Sequence, residues 1–298
     1  MRKRFVCCST TILLFAFVFA QNDSLKVNQP DSLLLKDTSV TTVPQSTVKS
    51  NESTYKIKGS VDIPVTSIGA GWSLYAFTKI YSKPHSTEAE ILNLNKNDIN
   101  GFDRWAVRPW SKKLDQEAYY TFDAAIPLPL LLLTGKKTSK DFFKLSFLWL
   151  EAMSITGFLY TGSVYFNDRY RPYAYSPESP MEQRLRGGAK NSFYAGHVAL
   201  VATSSFFMAH VYADYHPDSK VKWLMYTLAG AATGYTAYMR YRGGQHFPSD
   251  ILLGITEGTL TGLLVPHFHK HPIIKDPNLS FFPYSNGQAH GLALVYKL

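Results

Sequence analysis

Residues 240–250 read RYRGGQHFPSD and connect two apolar segments of the chain. Two arginines, a histidine and an aspartate thus stand together between stretches that are almost free of charge. Gly243 and Gly244 allow the link to turn sharply and allow the backbone to approach a ligand closely. His246 and Asp250 are four residues apart, which places them on one face of a helix. This link therefore predicts a helix-to-helix turn that carries a polar site.

Apolar segments of helical length fill the middle of the chain around this link. Five strong segments are at 118–135, 141–166, 192–215, 221–241 and 247–268, and a weaker one is at 64–80. Each strong segment is about as long as a bilayer-spanning helix. The pattern predicts an all-α fold, an up-and-down bundle of five to six helices, and it favours a membrane-embedded bundle. A soluble bundle whose core helices are apolar on every side is the alternative.

The composition indicates the class of partner. The 298 residues carry a formal net charge of +9, which favours anionic partners. No zinc-finger spacing and no long basic helix occurs in the sequence, so a nucleic-acid partner is disfavoured. A phosphorylated small molecule or lipid, together with a membrane, is the predicted partner, and the sequence leaves the oligomeric state open.

The first 20 residues have the pattern of a signal peptide: MRKR, an apolar run, and small residues before Gln21. Cleavage is favoured over an uncleaved anchor. Both cysteines, Cys7 and Cys8, lie inside this segment. A cleaved chain would have neither a disulfide nor a thiolate metal site, and its location would be the bacterial cell envelope.

The rest of the chain divides by composition. Residues 21–54 are polar and predict a disordered spacer. Residues 55–115 predict a helical extension, and 116–271 predict the core. Residues 272–298 predict a tail that ends in one short alternating strand and packs on the core.

Two further polar clusters stand at helix ends. Gly196 and His197 begin an apolar helix, where free N–H groups and the helix dipole favour anions. Arg169 and Arg171 directly follow another helix, and arginine binds phosphate oxygens in a bidentate manner. In an up-and-down bundle both clusters share one end with the 240–250 link. Converging histidines and arginines are the groups needed for phosphoryl transfer to a histidine.

The three clusters resemble the signature of the type 2 phosphatidic acid phosphatase superfamily. That signature reads Lys-x6-Arg-Pro, then Pro-Ser-Gly-His, then Ser-Arg-x5-His-x3-Asp. The third motif fits at Arg240, His246 and Asp250, with Met239 in place of its serine. The surrounding sequence, including SFYAGH and HFPSD, is similar to a secreted or envelope branch of this superfamily from Bacteroidetes-type bacteria.

The other two motifs are partly kept. The second keeps Gly196 and His197, with Tyr194 and Ala195 in place of proline and serine. The first keeps its Arg-Pro pair, with Val164 in place of the lysine. The replaced lysine and serine are therefore the two departures that bear most on whether the chain is active.

The resemblance implies a role for each matched residue. His246 is the nucleophile that forms a phosphohistidine, and Asp250 orients it. His197 is the general acid and later activates water. Arg171 and Arg240 hold the phosphate, and Gly196 offers its backbone N–H. Because the motif lysine is absent, Arg169 or Lys190 is predicted to supply its charge, and no metal or cofactor is required.

The implied activity is metal-independent hydrolysis of phosphomonoesters, with a lipid phosphate or pyrophosphate as the expected substrate. A catalytically degenerate envelope protein is the main alternative. A vanadate-dependent haloperoxidase is a weaker one, because the chain is short for that class and lacks the lysine. Among the other histidines, His210 is interpreted as a core residue. The alternating histidines at 267, 269 and 271 have metal-binding chemistry, but a solvated helix end is the favoured interpretation.

The number of membrane-spanning helices decides on which side of the membrane the site lies. With a cleaved signal peptide and five spanning helices, the site faces the periplasm. If 64–80 also spans, the site faces the cytoplasm. The lysine-rich loops at the opposite end favour a periplasmic site, and a bundle wholly in the periplasm fits the same facts.

Overall fold

The computed structural model of the chain describes residues 54–270, 279–285 and 290–296. The predicted signal peptide and nearly all of the predicted spacer lie outside these residues. The domain boundaries proposed from composition stay predictions.

Eight α-helices and a β-hairpin make up the described residues. The helices are α1 Gly59–Ile80, α2 Glu88–Leu92, α3 Lys112–Ala125, α4 Phe142–Tyr165, α5 Met181–Leu185, α6 Gly196–Tyr215, α7 Val221–Arg242 and α8 Pro248–Lys270. Short 3-10 turns are at Lys96–Asp98, Arg104–Ala106, Leu128–Thr134, Ser139–Asp141, Pro172–Tyr175 and Gly187–Lys190. The predicted all-α bundle is confirmed, and the weak segment at 64–80 is a full-length helix.

The predicted helix at 118–135 is wrong in its second half. Helix α3 ends at Ala125, and the chain continues as the 3-10 turn Leu128–Thr134. Pro127 and Pro129 each lack a backbone N–H, so neither donates the hydrogen bond that an α-helix needs at its position. Apolar length alone therefore overstated this helix.

Helix α6 is the centre of the bundle and packs against α4, α7 and α8. Its contact with α8 is made without side chains at three points. A β-carbon added at Gly254, Gly258 or Gly262 would lie closer than 3 Å to a carbonyl oxygen of α6 or of Ala195, the residue directly before it. Small residues at this spacing let two helices meet backbone to backbone.

Helix α1 lies along α4 and gives the bundle a sixth long element. A β-carbon added at Gly69 would lie 2.9 Å from the Ser154 carbonyl oxygen, so this contact is equally close. Near the start of α1, the Lys56 amide donates to the His269 carbonyl, 3.0 Å away, at the end of α8. We call this end of the bundle, with the start of α1 and the end of α8, the distal end.

The C-terminal residues form a hairpin, whereas the sequence predicted one strand. Strand β1, Leu279–Ser285, pairs antiparallel with β2, His290–Tyr296, so that Leu279 lies opposite Tyr296. The first strand contains Pro283, which removes a ladder donor and weakens the strand pattern in the sequence.

Many large apolar side chains face outward along the long helices. Examples on α1, α4, α7 and α8 are Ile68, Leu74, Phe158, Leu159, Trp223, Leu228, Leu252 and Leu260. Such an apolar surface is typical of a site of membrane or protein contact. By length and composition, however, only Ser139–Tyr165 and Pro248–Lys270 qualify as membrane spans among the described residues.

Candidate active site

The turn between α7 and α8 places the residues of the third motif. Gly244 has φ +71°, a left-handed conformation that favours glycine, and a β-carbon there would lie 2.8 Å from the Pro109 carbonyl oxygen. The Gly244 carbonyl accepts a hydrogen bond from the Tyr173 amide at 3.1 Å. The two glycines therefore serve the tight turn and its docking on the Arg171–Pro172 segment.

His246 is fully buried directly after this turn. Its Nδ1 lies 2.7 Å from the carbonyl oxygen of Ser192. Because a carbonyl only accepts hydrogen bonds, Nδ1 carries the proton and Nε2 keeps its lone pair. Burial, and then the positive charges of Arg171 and Arg240, hold the pKa of His246 well below its usual range. The imidazole is therefore neutral, as a nitrogen nucleophile must be.

Asp250 was expected to orient His246 directly, and the structure places it differently. Its carboxylate accepts from the Ser192 hydroxyl at 2.6 Å and from the Phe247 amide at 3.0 Å. The partner of His246 Nδ1 is the Ser192 carbonyl, so Asp250 acts on the histidine only through Ser192. As the third residue of α8, Asp250 thus accepts the backbone N–H of the residue before the helix, as the N3 side chain does in a capping box.

Arg169 was predicted to substitute for the missing lysine, but its terminal nitrogens are occupied. One pairs with Asp250, and the other lies 2.7 Å from the buried Asp103. The guanidinium also stacks over the Phe247 ring at 4.6 Å. With two carboxylates as partners, Arg169 balances the charge beneath the site and has no terminal nitrogen left for a phosphate.

Asp103 completes this ionic group from outside the matched motifs. It accepts from the Ser249 hydroxyl at 2.5 Å, the Ser249 amide at 3.0 Å and the Asn100 amide at 2.8 Å. Burial raises the pKa of its carboxyl, but the hydrogen bonds from Ser249, Asn100 and Arg169 outweigh burial and lower it. Asp103 is therefore ionised and keeps Arg169 in place.

Arg171 and Arg240 meet at a residue that the motif comparison passed over. The amide oxygen of Gln245 accepts from Arg171 Nη1, and it lies 3.4 Å from Arg240 Nη2. Arg240 also pairs with Asp115 of α3 at 2.5 Å, and its buried Nε has no hydrogen-bond partner in the part of the chain that the structure describes. Two cations held side by side, with donors unused, are suited to a phosphate.

The His197 side of the site is aromatic. The ring of His197 stands edge-on to Tyr119 at a centroid distance of 4.7 Å and lies 4.8 Å from Phe122. Among the described residues no side chain caps the start of α6, so the N–H groups of its first turn have no side-chain acceptor there. At Gly196 a β-carbon would collide with the Tyr160 ring, so only glycine fits there. His197 is half-buried, whereas His246 is enclosed, so a ligand enters from the His197 and Arg171 side.

The departures from the signature are also placed. Val164 is fully buried against Ile80 and Tyr160, an apolar setting that a lysine would not tolerate without a partner. Lys190 is half-buried beside Arg171, whose amide donates to the Ala189 carbonyl at 2.8 Å. Among the described residues the Lys190 ammonium has no ion pair.

Residues 145–273 match the family model of the PAP2 superfamily, the type 2 phosphatidic acid phosphatases. This core of the chain is therefore similar to the PAP2 superfamily over these residues. All three polar clusters lie within the matched residues, and the family supports a phosphatase.

One solved structure is similar to this chain at low sequence identity. It is entitled the crystal structure of the first transmembrane PAP2 type phosphatidylglycerolphosphate phosphatase from Bacillus subtilis. It is 18% identical, covers 72% of this chain and 98% of its own chain, and has a TM-score of 0.41. A comparison with curated proteins finds no significant match.

Four contributors to the site were missed from the sequence: Ser192, Gln245, Asp115 and Asp103. Ser192 and Gln245 stand next to motif residues, so their proximity was a usable signal. Asp115 and Asp103 lie far earlier in the chain and carry no local pattern.

Proposed function

We propose that this chain hydrolyses phosphomonoesters through a phosphohistidine at His246. The observation that carries the proposal is the fixed tautomer of His246. Its Nδ1–H donates a hydrogen bond to the Ser192 carbonyl oxygen, 2.7 Å away. The Nε2 lone pair is therefore free, in a site that also holds two arginines for the phosphate.

In the first step, Nε2 of His246 attacks phosphorus and forms a P–N bond. The bond between phosphorus and the leaving oxygen breaks, and His197 gives that oxygen a proton. The positive charge that grows on the His246 ring is stabilised by the Nδ1–H bond to Ser192. Arg171, Arg240 and the free N–H groups of α6 balance the phosphoryl oxygens.

In the second step, His197 takes a proton from water, and the water oxygen attacks phosphorus. The P–N bond breaks, the electron pair returns to Nε2, and inorganic phosphate leaves. His197 ends protonated, ready for the next ester. The net reaction consumes one water and needs no group from outside the chain.

We propose a lipid as the carrier of the phosphate. The outward apolar side chains of α1, α4, α7 and α8 support a bundle embedded in a membrane. A membrane-embedded site meets its substrates in the lipid layer. Phosphatidate in mixed micelles is therefore expected to be hydrolysed with a higher kcat/KM than glycerol 3-phosphate.

We propose that the site opens to the periplasm, on the strength of the lysines in the opposite loops. This proposal requires that α1 does not cross the bilayer, because α1 starts at the distal end. If α1 crosses the bilayer, a cleaved signal peptide would place the site in the cytoplasm instead. Single cysteines at exposed Glu178 and Asp218, in Cys7→Ser/Cys8→Ser protein, test the side. A membrane-impermeant maleimide applied to spheroplasts is expected to label position 178, and labelling of 218 alone would refute the proposal.

The enzyme assay measures phosphate release from phosphatidate and from p-nitrophenyl phosphate in the presence of EDTA. We expect His246→Ala to lower turnover at least about 1,000-fold. His85→Ala, which alters an exposed histidine, is expected to match the wild type. Absence of release from any phosphomonoester would overturn the enzyme assignment and favour the degenerate alternative. Unchanged release in His246→Ala would overturn the nucleophile.

A trapping experiment separates the roles of the two histidines. The p-nitrophenolate group leaves without a proton, so His197→Ala is expected to complete the first step and stall at the second. An early burst of nitrophenolate and a phosphoenzyme labile in acid but stable in base are the expected signs. A steady slow rate with no phosphoenzyme would assign His197 another role.

A further inference from the structure

A second polar cluster lies at the distal end, away from the site. Asp62 of α1, Glu151 of α4 and His269 of α8 offer one ligand atom each, all within 4.8 Å of one another. His269 is 19 residues beyond Asp250 on the same helix. At a rise of about 1.5 Å per residue, roughly 30 Å separates the cluster from the catalytic histidine.

The imidazole of His269 is prepared as a ligand. Its Nδ1 lies 2.7 Å from the Val265 carbonyl oxygen and so carries the proton. Once Nε2 loses its proton to a bound cation, its lone pair lies beside the two carboxylates, where all three groups can bind that cation. A histidine whose other nitrogen is fixed by a carbonyl is the usual arrangement around a protein-bound metal.

The distances fit a small cation. Nε2 lies 3.3 Å from Asp62 Oδ2 and 3.4 Å from Glu151 Oε2. In tetrahedral coordination with bonds of about 2.0–2.1 Å, neighbouring ligand atoms are about 3.3–3.4 Å apart. Both distances from Nε2 thus match the spacing between corners of such a site, and the two carboxylate oxygens lie within 4.8 Å of each other.

Glu151 supplies an independent sign of a missing ligand. Its side chain is 6% exposed, and its Oε2, 3.4 Å from His269 Nε2, accepts no hydrogen bond from any residue that the structure describes. A buried carboxylate oxygen without a donor is costly. A divalent cation between two carboxylates and a neutral imidazole would satisfy this oxygen and bring the cluster to zero net charge.

We propose that Asp62, Glu151 and His269 bind one divalent transition-metal ion, with Zn²⁺ as the best match. One imidazole and two carboxylates suit Zn²⁺, and the fourth corner is left for water. The ion ties α1 to α4 and α8 at the distal end. It is structural, because it lies far from the reacting atoms.

The test uses the full chain purified without a polyhistidine tag. After treatment with EDTA and its removal, Zn²⁺ is added, and bound zinc and the Tm in detergent are measured. We expect one equivalent of zinc and a rise in Tm, both lost in His269→Gln and in Glu151→Gln. His267→Gln, an exposed histidine on the same helix, is the matched control and is expected to keep both.

Glu151→Gln also guards against a folding defect, since it preserves shape and removes only the charge. Co²⁺ added to the stripped protein is expected to give the intense visible absorption of a four-coordinate site, absent in the same variants. Zinc binding that is unchanged in His269→Gln, or a wild-type Tm that Zn²⁺ does not move, would overturn the proposal. Phosphatase activity is measured in parallel and is not expected to follow zinc content.

Discussion

The two ends of the bundle use the same histidine arrangement for opposite purposes. At the site end, the Nδ1–H of His246 donates a hydrogen bond to a backbone carbonyl, and at the distal end the Nδ1–H of His269 does the same, each at 2.7 Å. The difference lies in what surrounds the second nitrogen. Arginines stand near His246, whereas two carboxylates face His269. The surroundings thus suit an anion at one end and a cation at the other.

The carboxylates at the site end are present but neutralised. Asp103 and Asp250 both pair with Arg169, which keeps their charge away from the incoming phosphate. At the distal end the structure describes no cation other than His269 itself against Glu151. The two ends therefore differ in whether an arginine neutralises the carboxylates: Arg169 does so at the site end, and the structure describes no such arginine at the distal end.

The largest expected effect comes from removing an arginine of the site. Arg171→Gln is expected to lower kcat/KM about 100- to 1,000-fold, because a donor to the transition state is lost. The loss of a positive neighbour also raises the pKa of His246. More of the imidazole is then protonated at a given pH, so the acid limb of the residual kcat/KM profile moves to higher pH.

The control for this change is Arg186→Gln, which alters an exposed arginine paired only with Glu182. It is expected to leave the rate and the pH profile unchanged. If Arg171→Gln slowed the reaction without moving the acid limb, the electrostatic influence on His246 would be contradicted.

The next largest effect is on stability, and it is expected to differ between a carboxylate at the site end and one at the distal end. Asp103→Asn leaves Arg169 with one partner fewer and is expected to cost about 2–3 kcal/mol of unfolding free energy at pH 7. The pKa of Asp103 is lowered, so its contribution exists above its unfolded pKa and disappears as pH falls through the folded value. Unfolding in detergent at pH 7 and below pH 4 measures this loss.

The distal end is expected to respond in the other direction. In metal-free protein, Glu151→Gln removes a buried charge whose Oε2 accepts no hydrogen bond from the described residues, and it is expected to leave stability equal or higher. A loss as large as that of Asp103→Asn would show that the ion pair of Glu151 with His269 already stabilises the metal-free protein, and the contrast between the two ends would fail.

The smallest effect concerns the missing motif lysine. Lys190 has no ion pair among the described residues and stands beside Arg171. Lys190→Gln is expected to lower kcat/KM about 3- to 10-fold, as for one distant charge. Lys96→Gln, at an exposed lysine, is the control. An unchanged rate in Lys190→Gln would mean that the two arginines alone hold the phosphate.

The sequence predicted the parts of the site that depend on helix ends. Helical periodicity and an alternating bundle suffice to bring Arg171, His197 and the 240–250 link to one end, and the structure places them there. Backbone partners left no signal: the carbonyl that holds His246 belongs to Ser192, and any residue supplies a carbonyl. The sequence therefore predicted that Asp250 contacts His246 directly, whereas the backbone carbonyl of Ser192 makes that contact.

Long-range partners were equally hidden. Asp115 and Asp103 reach the site from segments that read as polar surface, and His269 meets its carboxylates only after α1 and α4 are packed. The break at Pro127 was readable, since proline lacks the N–H that a helix needs. Apolar length was weighted above that signal.

The glycine contact between α6 and α8 has a mechanical consequence. At Gly254, Gly258 and Gly262 the backbones of the two helices meet with no glycine side chain between them. His197 and Asp250 stand at the adjoining ends of this pair. We therefore expect a change in bilayer thickness or curvature to shift the outer helices more than the spacing between His197 and Asp250.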